Sequence, residues 1–380
     1  MFEKTIAFIK KLYPYKDFIA LHEPVLGEEE KKYLCECVDS GFVSSVGSFV
    51  NLFERRVAEF CGASFAVATV NGTSALHCAL KLCGVGQGDE VITQALTFVA
   101  TANAISYCGA RPVFVDINKD NMGLSAESLE EFLSINAVKN NDGSCVNKLT
   151  GRRISACLPM HTFGLPADME QIVNICDKYN IPVVEDSAES MGSFIGKKHT
   201  GLFGKVGILS FNGNKIITTG GGGMIITNDE KLAAEAKHIT TTAKKPHKWE
   251  FFHDMTGFNY RMPNVNAALG CAQLDKLSSF LENKRETAMF YKDFFKSEGI
   301  SFVSEPENCT SNYWLNAVIM SDKTERDAFL EETNSAGVMT RPLWEPMNRL
   351  PMYADCVSGN LENTEWLSDR VVNIPSGVRG

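Results

Sequence analysis

The chain reads as an α/β protein built on a mainly parallel sheet, and three observations carry that reading. Between residues 60 and 230, short apolar runs alternate with helix-like stretches, the pattern of successive βαβ units. Several of the runs are apolar nearly throughout, as strands covered on both faces require. The 380 residues, 44% hydrophobic and 22% charged, are enough for a sizeable core and, at roughly 150 residues per domain, for about two domains.

In chain order, residues 1–15 form a short amphipathic pattern without the apolar run and small-residue cleavage site of a secretory leader. Strand-like runs follow at Ala66–Val70, Glu90–Thr93, Pro112–Asp116, Ile154–Leu158, Pro182–Glu185, Gly207–Phe211 and Gly223–Thr227. Helix-like stretches lie between them at Thr73–Cys83, Thr97–Cys108, Ser125–Leu133 and Met169–Tyr179. Residues 137–153 are polar and contain Asn140-Asn-Asp-Gly143, which predicts a surface turn or hairpin. Residues 240–256 lack periodicity and read as a loop excursion. Pro263 opens a long helix from Asn264 to about Lys296, and residues 301–380 alternate strand and helix patterns. The expected organisation is a large α/β domain over 20–255 and a small α+β domain over 264–380 that takes in residues 1–19.

Composition excludes several functions. Net charge is −9, with no basic stripe to follow a nucleic-acid backbone. No apolar run approaches the roughly 18 residues needed to cross a bilayer. The 12 cysteines contain no Cys-x-x-Cys pair. Without a leader they predict reduced thiols in a cytoplasmic protein, packed as small apolar groups, and no metal site.

Three segments carry chemistry. In the first, a strand leads through the tight Asn71-Gly72 turn into a helix. The N–H groups of Thr73 and Ser74, with the helix dipole behind them, suit an anion such as a phosphate, although Ser and Thr also cap many helices without a ligand. In the second, the apolar run Ile181-Pro-Val-Val ends in Glu185-Asp186. Asp186 at a strand's carboxyl end needs either a cationic partner or a helix to cap. In the third, Lys215 stands between apolar runs, just before four successive glycines, Gly220–Gly223. An amine enclosed in that way is a usable nucleophile for a carbonyl. Phosphate turn, carboxylate and lysine together are the demands of pyridoxal 5′-phosphate. No Gly-x-Gly-x-x-Gly follows a strand and no Gly-x-x-x-x-Gly-Lys-[Ser/Thr] is present, which sets nicotinamide and nucleotide-hydrolysing sites aside.

Six motifs, Asn71-Gly-Thr-Ser-Ala-Leu76, Thr97-Phe-Val-Ala-Thr101, Gly164-Leu-Pro-Ala-Asp-Met169, Val184-Glu-Asp-Ser-Ala-Glu189, Ser210-Phe-Asn-Gly-Asn-Lys215 and Gly257-Phe-Asn-Tyr-Arg-Met262, resemble the DegT/DnrJ/EryC1/StrS sugar aminotransferases. The resemblance runs from about Ala20 to Asn373. It implies the aspartate aminotransferase-like fold (fold type I), with a large, mainly parallel seven-stranded sheet domain and a small α+β domain. It also implies that Lys215 carries the cofactor and shuttles a proton, and that Asp186 keeps the pyridine nitrogen protonated. Phe98 would stack on the ring, Thr73, Ser74 and Ser210 would hold the phosphate, and Glu189 would meet the 3-hydroxyl. Asn259 would reach the cofactor phosphate of a neighbouring subunit, which implies a homodimer with shared active sites. Two positions depart from the common pattern: Glu189 stands where many members have Gln or His, and Gly221 where many have Glu. Lys215 in place of His separates the chain from the dehydratase branch.

Within the family, residues 12–24, Phe42–Gly47 and Arg341-Pro-Leu-Trp344 look most like the aminotransferases of bacillosamine and legionaminic acid synthesis. That resemblance implies a UDP-2-acetamido-2,6-dideoxy-4-keto-hexose, aminated at C4 with glutamate as donor. Arg341 and Trp344 would meet its diphosphate and uracil. His161, at a strand end, would touch cofactor or sugar, or serve as a structural histidine. The alternatives are a C3 or C4 aminotransferase or dehydratase acting on a dTDP- or GDP-keto-sugar, and a non-catalytic regulatory or scaffold relative.

Overall fold

The structure, a computed structural model, describes residues 2–14 and 16–380. Seven strands form the large sheet: β1 Phe65–Thr69, β2 Glu90–Gln94, β3 Arg111–Val115, β4 Ile154–Leu158, β5 Val184–Asp186, β6 Val206–Ser210 and β7 Gly223–Thr227. Each matches a predicted run to within a residue or two. β2 pairs in parallel with β3 and β4, and β5 pairs in parallel with β6. Parallel bridges at Cys157–Val183 and Met160–Asp186 join β4 to β5. β7 runs antiparallel to both β6 and β1. The order across the sheet is therefore β3-β2-β4-β5-β6-β7-β1, with β7 the one reversed strand.

The helices are α1 Glu3–Leu12, α2 Glu28–Asp39, α3 Ser48–Cys61, α4 Gly72–Leu82, α5 Val99–Tyr107, α6 Ala126–Asn136, α7 Met169–Lys178, α8 Glu230–Thr240, α9 Asn264–Glu298, α10 Lys323–Ser335 and α11 Glu362–Ser368. Several begin where a short polar side chain takes up an otherwise orphaned N–H group, as Ser125 does for α6, Asp168 for α7 and Asp229 for α8. Both faces of the sheet are covered. On one, Leu76, Leu80, Ile105 and Ile239 pack on Val91, Val184, Ile208 and Ile225. On the other, Leu129, Phe132 and Ile172 pack on Ile92, Val113 and Cys157, and Phe53, Val57 and Cys271 pack on Leu209 and Met224. This two-sided burial explains why the strand runs are continuously apolar rather than alternating.

Helix α9 has 35 residues and spans about 52 Å at the standard rise. Its first half buries Ala267 and Cys271 beside α3, and its second half buries Tyr291 and Phe295 against Phe2, Ile9 and Tyr13 of the N-terminal segment. The same cluster includes Val318 and Ile374 of a small antiparallel sheet. That sheet has the order β8-β9-β11-β10, from β8 Ser301–Phe302, β9 Asn316–Ile319, β10 Arg341–Pro342 and β11 Val371–Ile374. A strap returns from it to edge strand β3. Phe114 N–H donates to the Val357 carbonyl at 2.9 Å, Gly359 N–H donates to the Phe114 carbonyl at 2.8 Å, and the Asp116 carboxylate accepts the N–H groups of Asn363 and Thr364 that open α11. The strap covers an edge that would otherwise offer unpaired backbone groups.

Residues 137–153 form the expected hairpin, with Ala137–Lys139 antiparallel to Cys145–Asn147. Helices α2, α3 and α8 and a three-stranded patch, Cys309–Thr310, Phe194–Ile195 and Lys198–His199, were not anticipated. All 12 cysteines are free thiols, eight of them buried. Among the described residues no helix is long and apolar enough to cross a membrane.

Candidate active site

The carboxyl ends of β1, β5 and β6 open onto a cavity of about 340 Å³ at the start of α4. Asn71 caps that helix, its side chain accepting the Ser74 N–H at 2.8 Å. The N–H groups of Gly72 and Thr73, which line the cavity, find no acceptor among the described residues. This is the usual state of a helix's first amides and a ready anion site. Gly223 allows the turn to lie where it does: a Cβ there would stand 2.7 Å from the Gly72 nitrogen and closer still to the Asn71 carbonyl. Ser210, ending β6, lines the same wall. The expectation for Ser74 is corrected in part. Its amide is taken by the Asn71 cap and it does not line the cavity, so Gly72 and Thr73 present the free donors.

Asp186 ends β5 on the cavity floor and is buried. Its Oδ2 accepts from Thr101 Oγ1 at 2.7 Å and its Oδ1 from the Ala188 N–H at 3.1 Å. Burial pushes its pKa up against the pull of those donors and of Lys215. A carboxylate held in this way, with no ion pair of its own, is suited to a cationic N–H entering from the cavity.

Lys215 Nζ lies 3.2 Å from Glu189 Oε1 and 3.8 Å from the centroid of the Trp314 ring. The Trp314 indole N–H donates to the Asn214 carbonyl at 2.7 Å, clamping the turn that carries the lysine. Glu189 Oε2 accepts the Phe163 N–H at 2.9 Å. Burial drives the Glu189 pKa up to about 7, with Lys215 opposing. Phe163 adopts a left-handed φ of 58° and is followed by Gly164 at 91°, a strained corner that this bond supports. Phe98, half exposed, lines the cavity edge-on to Trp344 at 6.2 Å, and Trp344 packs on Phe163 at 5.2 Å. Phe98 and Trp344 form an apolar wall backed by the buried Phe163.

His161, Arg341 and Asn259 do not line this chain's cavity, and for Asn259, expected at a neighbouring subunit's site, that is no departure. His161 is fully buried beneath the floor, not at the cavity. Its Nδ1 accepts the Ala167 N–H at 3.1 Å, so its proton sits on Nε2, 3.1 Å from Glu185 Oε2. With both nitrogens committed it braces the β4–β5 ends, where its own N–H bonds the Asp186 carbonyl. Arg341 is exposed on β10 and directed to Asn334 Oδ1 at 3.2 Å, away from the cavity. Its place on an edge strand, rather than facing the core, explains the difference. Asn259 is exposed outside the cavity, 3.4 Å from Arg261.

Sequence reasoning missed Thr101 as the partner of Asp186, Trp314 as the cover of Lys215, and His22. The His22 ring nitrogens are buried without partners. Burial, Lys284 and Lys215 all lower its pKa. Thr101 sits in the first turn of α5, four residues after Thr97, a signal that was available. Trp314 and His22 arrive from distant segments, with no local signal.

The cradle fits pyridoxal phosphate. The free amides at the start of α4 and Ser210 suit the phosphate, Asp186 suits the ring nitrogen, Lys215 suits the aldehyde, and Phe98 offers a face for the ring. A seven-stranded sheet of this order bearing such a cradle defines a fold type I pyridoxal phosphate-dependent transferase. The DegT/DnrJ/EryC1/StrS aminotransferase family matches residues 24–379, and the chain belongs to it. Among its relatives, a GDP-perosamine synthase from Escherichia coli O157:H7 is 36% identical over 361 residues, covering 94% of this chain and 93% of that one. A GDP-perosamine synthase from Caulobacter vibrioides is 35% identical over 363 residues, with 94% and 93% covered. The crystal structure of the aminotransferase TlmJ from Streptoalloteichus hindustanus superposes with a TM-score of 0.85 at 30% identity, covering 94% of this chain and 93% of that one.

Proposed function

We propose that the protein transfers an amino group from glutamate to the keto carbon of a nucleotide-activated sugar. One observation carries the reading: a lysine amine, a buried carboxylate and the open amides of a helix face a single cavity. Bound pyridoxal phosphate supplies an electrophilic carbon and an electron sink. The Gly72 and Thr73 amides and Ser210 anchor its phosphate. Asp186, held by Thr101 and the Ala188 amide, keeps a proton on the ring nitrogen. The Lys215 amine takes a proton from the donor's α-carbon and delivers it to the cofactor's former aldehyde carbon on the same face. Glu189, close to Lys215, holds a proton beside the ring's 3-oxygen. Phe98 and Trp344 exclude water on the open side. In this reading Asn259, exposed outside its own chain's cavity, completes the site of a second copy, and the working unit is a homodimer. A cytoplasmic setting matches the supply of nucleotide sugars.

For the acceptor, the likeness of residues 12–24, 42–47 and 341–344 to the bacillosamine and legionaminic acid aminotransferases supports a UDP-2-acetamido-2,6-dideoxy-4-keto-hexose aminated at C4, with Trp344 at the cavity and Arg341 outside it. A second reading, a GDP-linked keto-sugar, is favoured by the two relatives named GDP-perosamine synthases. The test supplies purified, cofactor-loaded protein with glutamate and, separately, UDP-, GDP- and dTDP-linked 4-keto-6-deoxy sugars, with products identified by NMR. Efficient turnover of one nucleotide series selects the acceptor. Lys215→Ala must abolish transamination, and a fully active Lys215→Ala protein sinks the proposal.

A further inference from the structure

We propose that Lys284 is a positioning residue for Lys215, acting through Trp314. Lys284 lies in the middle of α9 and is fully buried. Its Nζ donates to the Trp314 carbonyl at 3.1 Å and to the Ser376 carbonyl. Among the described residues no carboxylate pairs with it. Burying an amine without a counter-charge is costly, so an apolar side chain would be the default at such a place unless the donor's geometry matters.

The geometry leads to the active site. The Trp314 backbone is held at both ends, its N–H by Asn312 Oδ1 at 2.8 Å and its carbonyl by Lys284. That fixes a side chain with two functions at once. The indole N–H clamps the Asn214 carbonyl, and the ring face covers the Lys215 amine. The other acceptor, Ser376, ties in both ends of the chain: its N–H bonds the Leu21 carbonyl at 2.7 Å, and its Oγ accepts the Asn316 N–H at 2.7 Å. Lys284 is thus the one donor that joins α9, the Trp314 loop and the C-terminal segment, and Trp314 carries that alignment to the lysine turn. An amine 3.8 Å from an indole face is shielded from solvent on that side and attracted to the ring. Moving the ring exposes it.

The inference deepens the reading of Lys215 given above, but its test uses cofactor-free protein, so the two fail separately. The measurement is the rate at which trinitrobenzenesulfonate modifies Lys215, followed by peptide mass spectrometry, with exposed Lys197 and Lys231 as internal references. Lys284→Met, Trp314→Phe and the double variant are compared with the parent protein. Lys284→Met is expected to speed Lys215 modification about threefold or more, within the range of coupling between residues in contact, with the references unchanged. The double variant should match the faster single variant. A merely structural lysine would leave Lys215 unchanged or raise all lysines together. Should Lys284→Met not fold, Lys284→Gln, which keeps an N–H donor of shorter reach, is read in the same way. The proposal is overturned if a folded Lys284 variant labels Lys215 at the parental rate, or if the double variant shows the product of the two single effects.

Discussion

Replacing Glu189 by Gln provides a quantitative test of the site's electrostatics. Burial raises the Glu189 pKa from an ordinary 4.5 to about 7, with Lys215 only partly offsetting it. A carboxyl group whose pKa is raised by folding prefers its protonated form in the folded chain. The folded chain therefore holds the extra proton between those two values, and stability falls as pH rises through that window. Below it the group costs nothing, and above it the whole cost is present. A shift of about 2.5 units corresponds to about 3 kcal/mol. Gln has nearly the same shape and cannot ionise, and its amide oxygen can still accept the Phe163 N–H. Glu189→Gln should therefore be more stable than the parent by about 3 kcal/mol near pH 8, and by no more than about 1 kcal/mol near pH 5. The assay is thermal denaturation of the cofactor-free proteins across that range, reading the gap in melting temperature. A gap that stays flat, or that narrows as pH rises, refutes the argument that Glu189 is desolvated faster than Lys215 repays it.

Three further outcomes follow from the geometry. Gly223→Ala forces a methyl group against the Asn71–Gly72 backbone, so it should lower both melting temperature and pyridoxal phosphate retention, measured by equilibrium dialysis. If retention is unchanged, the α4 turn is not the phosphate site. Asp186→Asn should cut transamination by on the order of 10² or more, the scale of losing one charge-stabilising group, while the melting temperature holds or rises because the buried carboxylate is removed. Under native conditions a thiol reagent should react first with Cys35, the one fully exposed cysteine, and all 12 should titrate only after unfolding. Fast reaction at Cys61 or Cys176 would contradict the packing.

Much of the fold was legible along the chain because its signals are local. A strand covered on both faces is apolar nearly throughout, so Ile154–Leu158 and Val206–Ser210 appear in composition alone. The Asn71-Gly72 turn and the helix after it are written in turn chemistry and capping. The gathering of Asp186 and Lys215 at one cavity was legible for a related reason: Asp186 ends one strand and Lys215 follows the end of its parallel neighbour. Helices α2 and α3 were not legible, since their apolar faces are shaped by α9, more than 200 residues away.

The same division holds within the site. The sequence by itself determined which groups are available: an amine, a carboxylate, a helix start and an aromatic residue, in an order that points to one cofactor. Only the tertiary structure decided what each group can do. Burial turned Glu189 into an acid that titrates near neutrality. Packing took His161 out of the pocket by committing both its nitrogens. Trp314 was brought from the far end of the chain to lie over Lys215. Desolvation and long-range contact depend on what surrounds a residue in space, and spacing along the chain does not encode them.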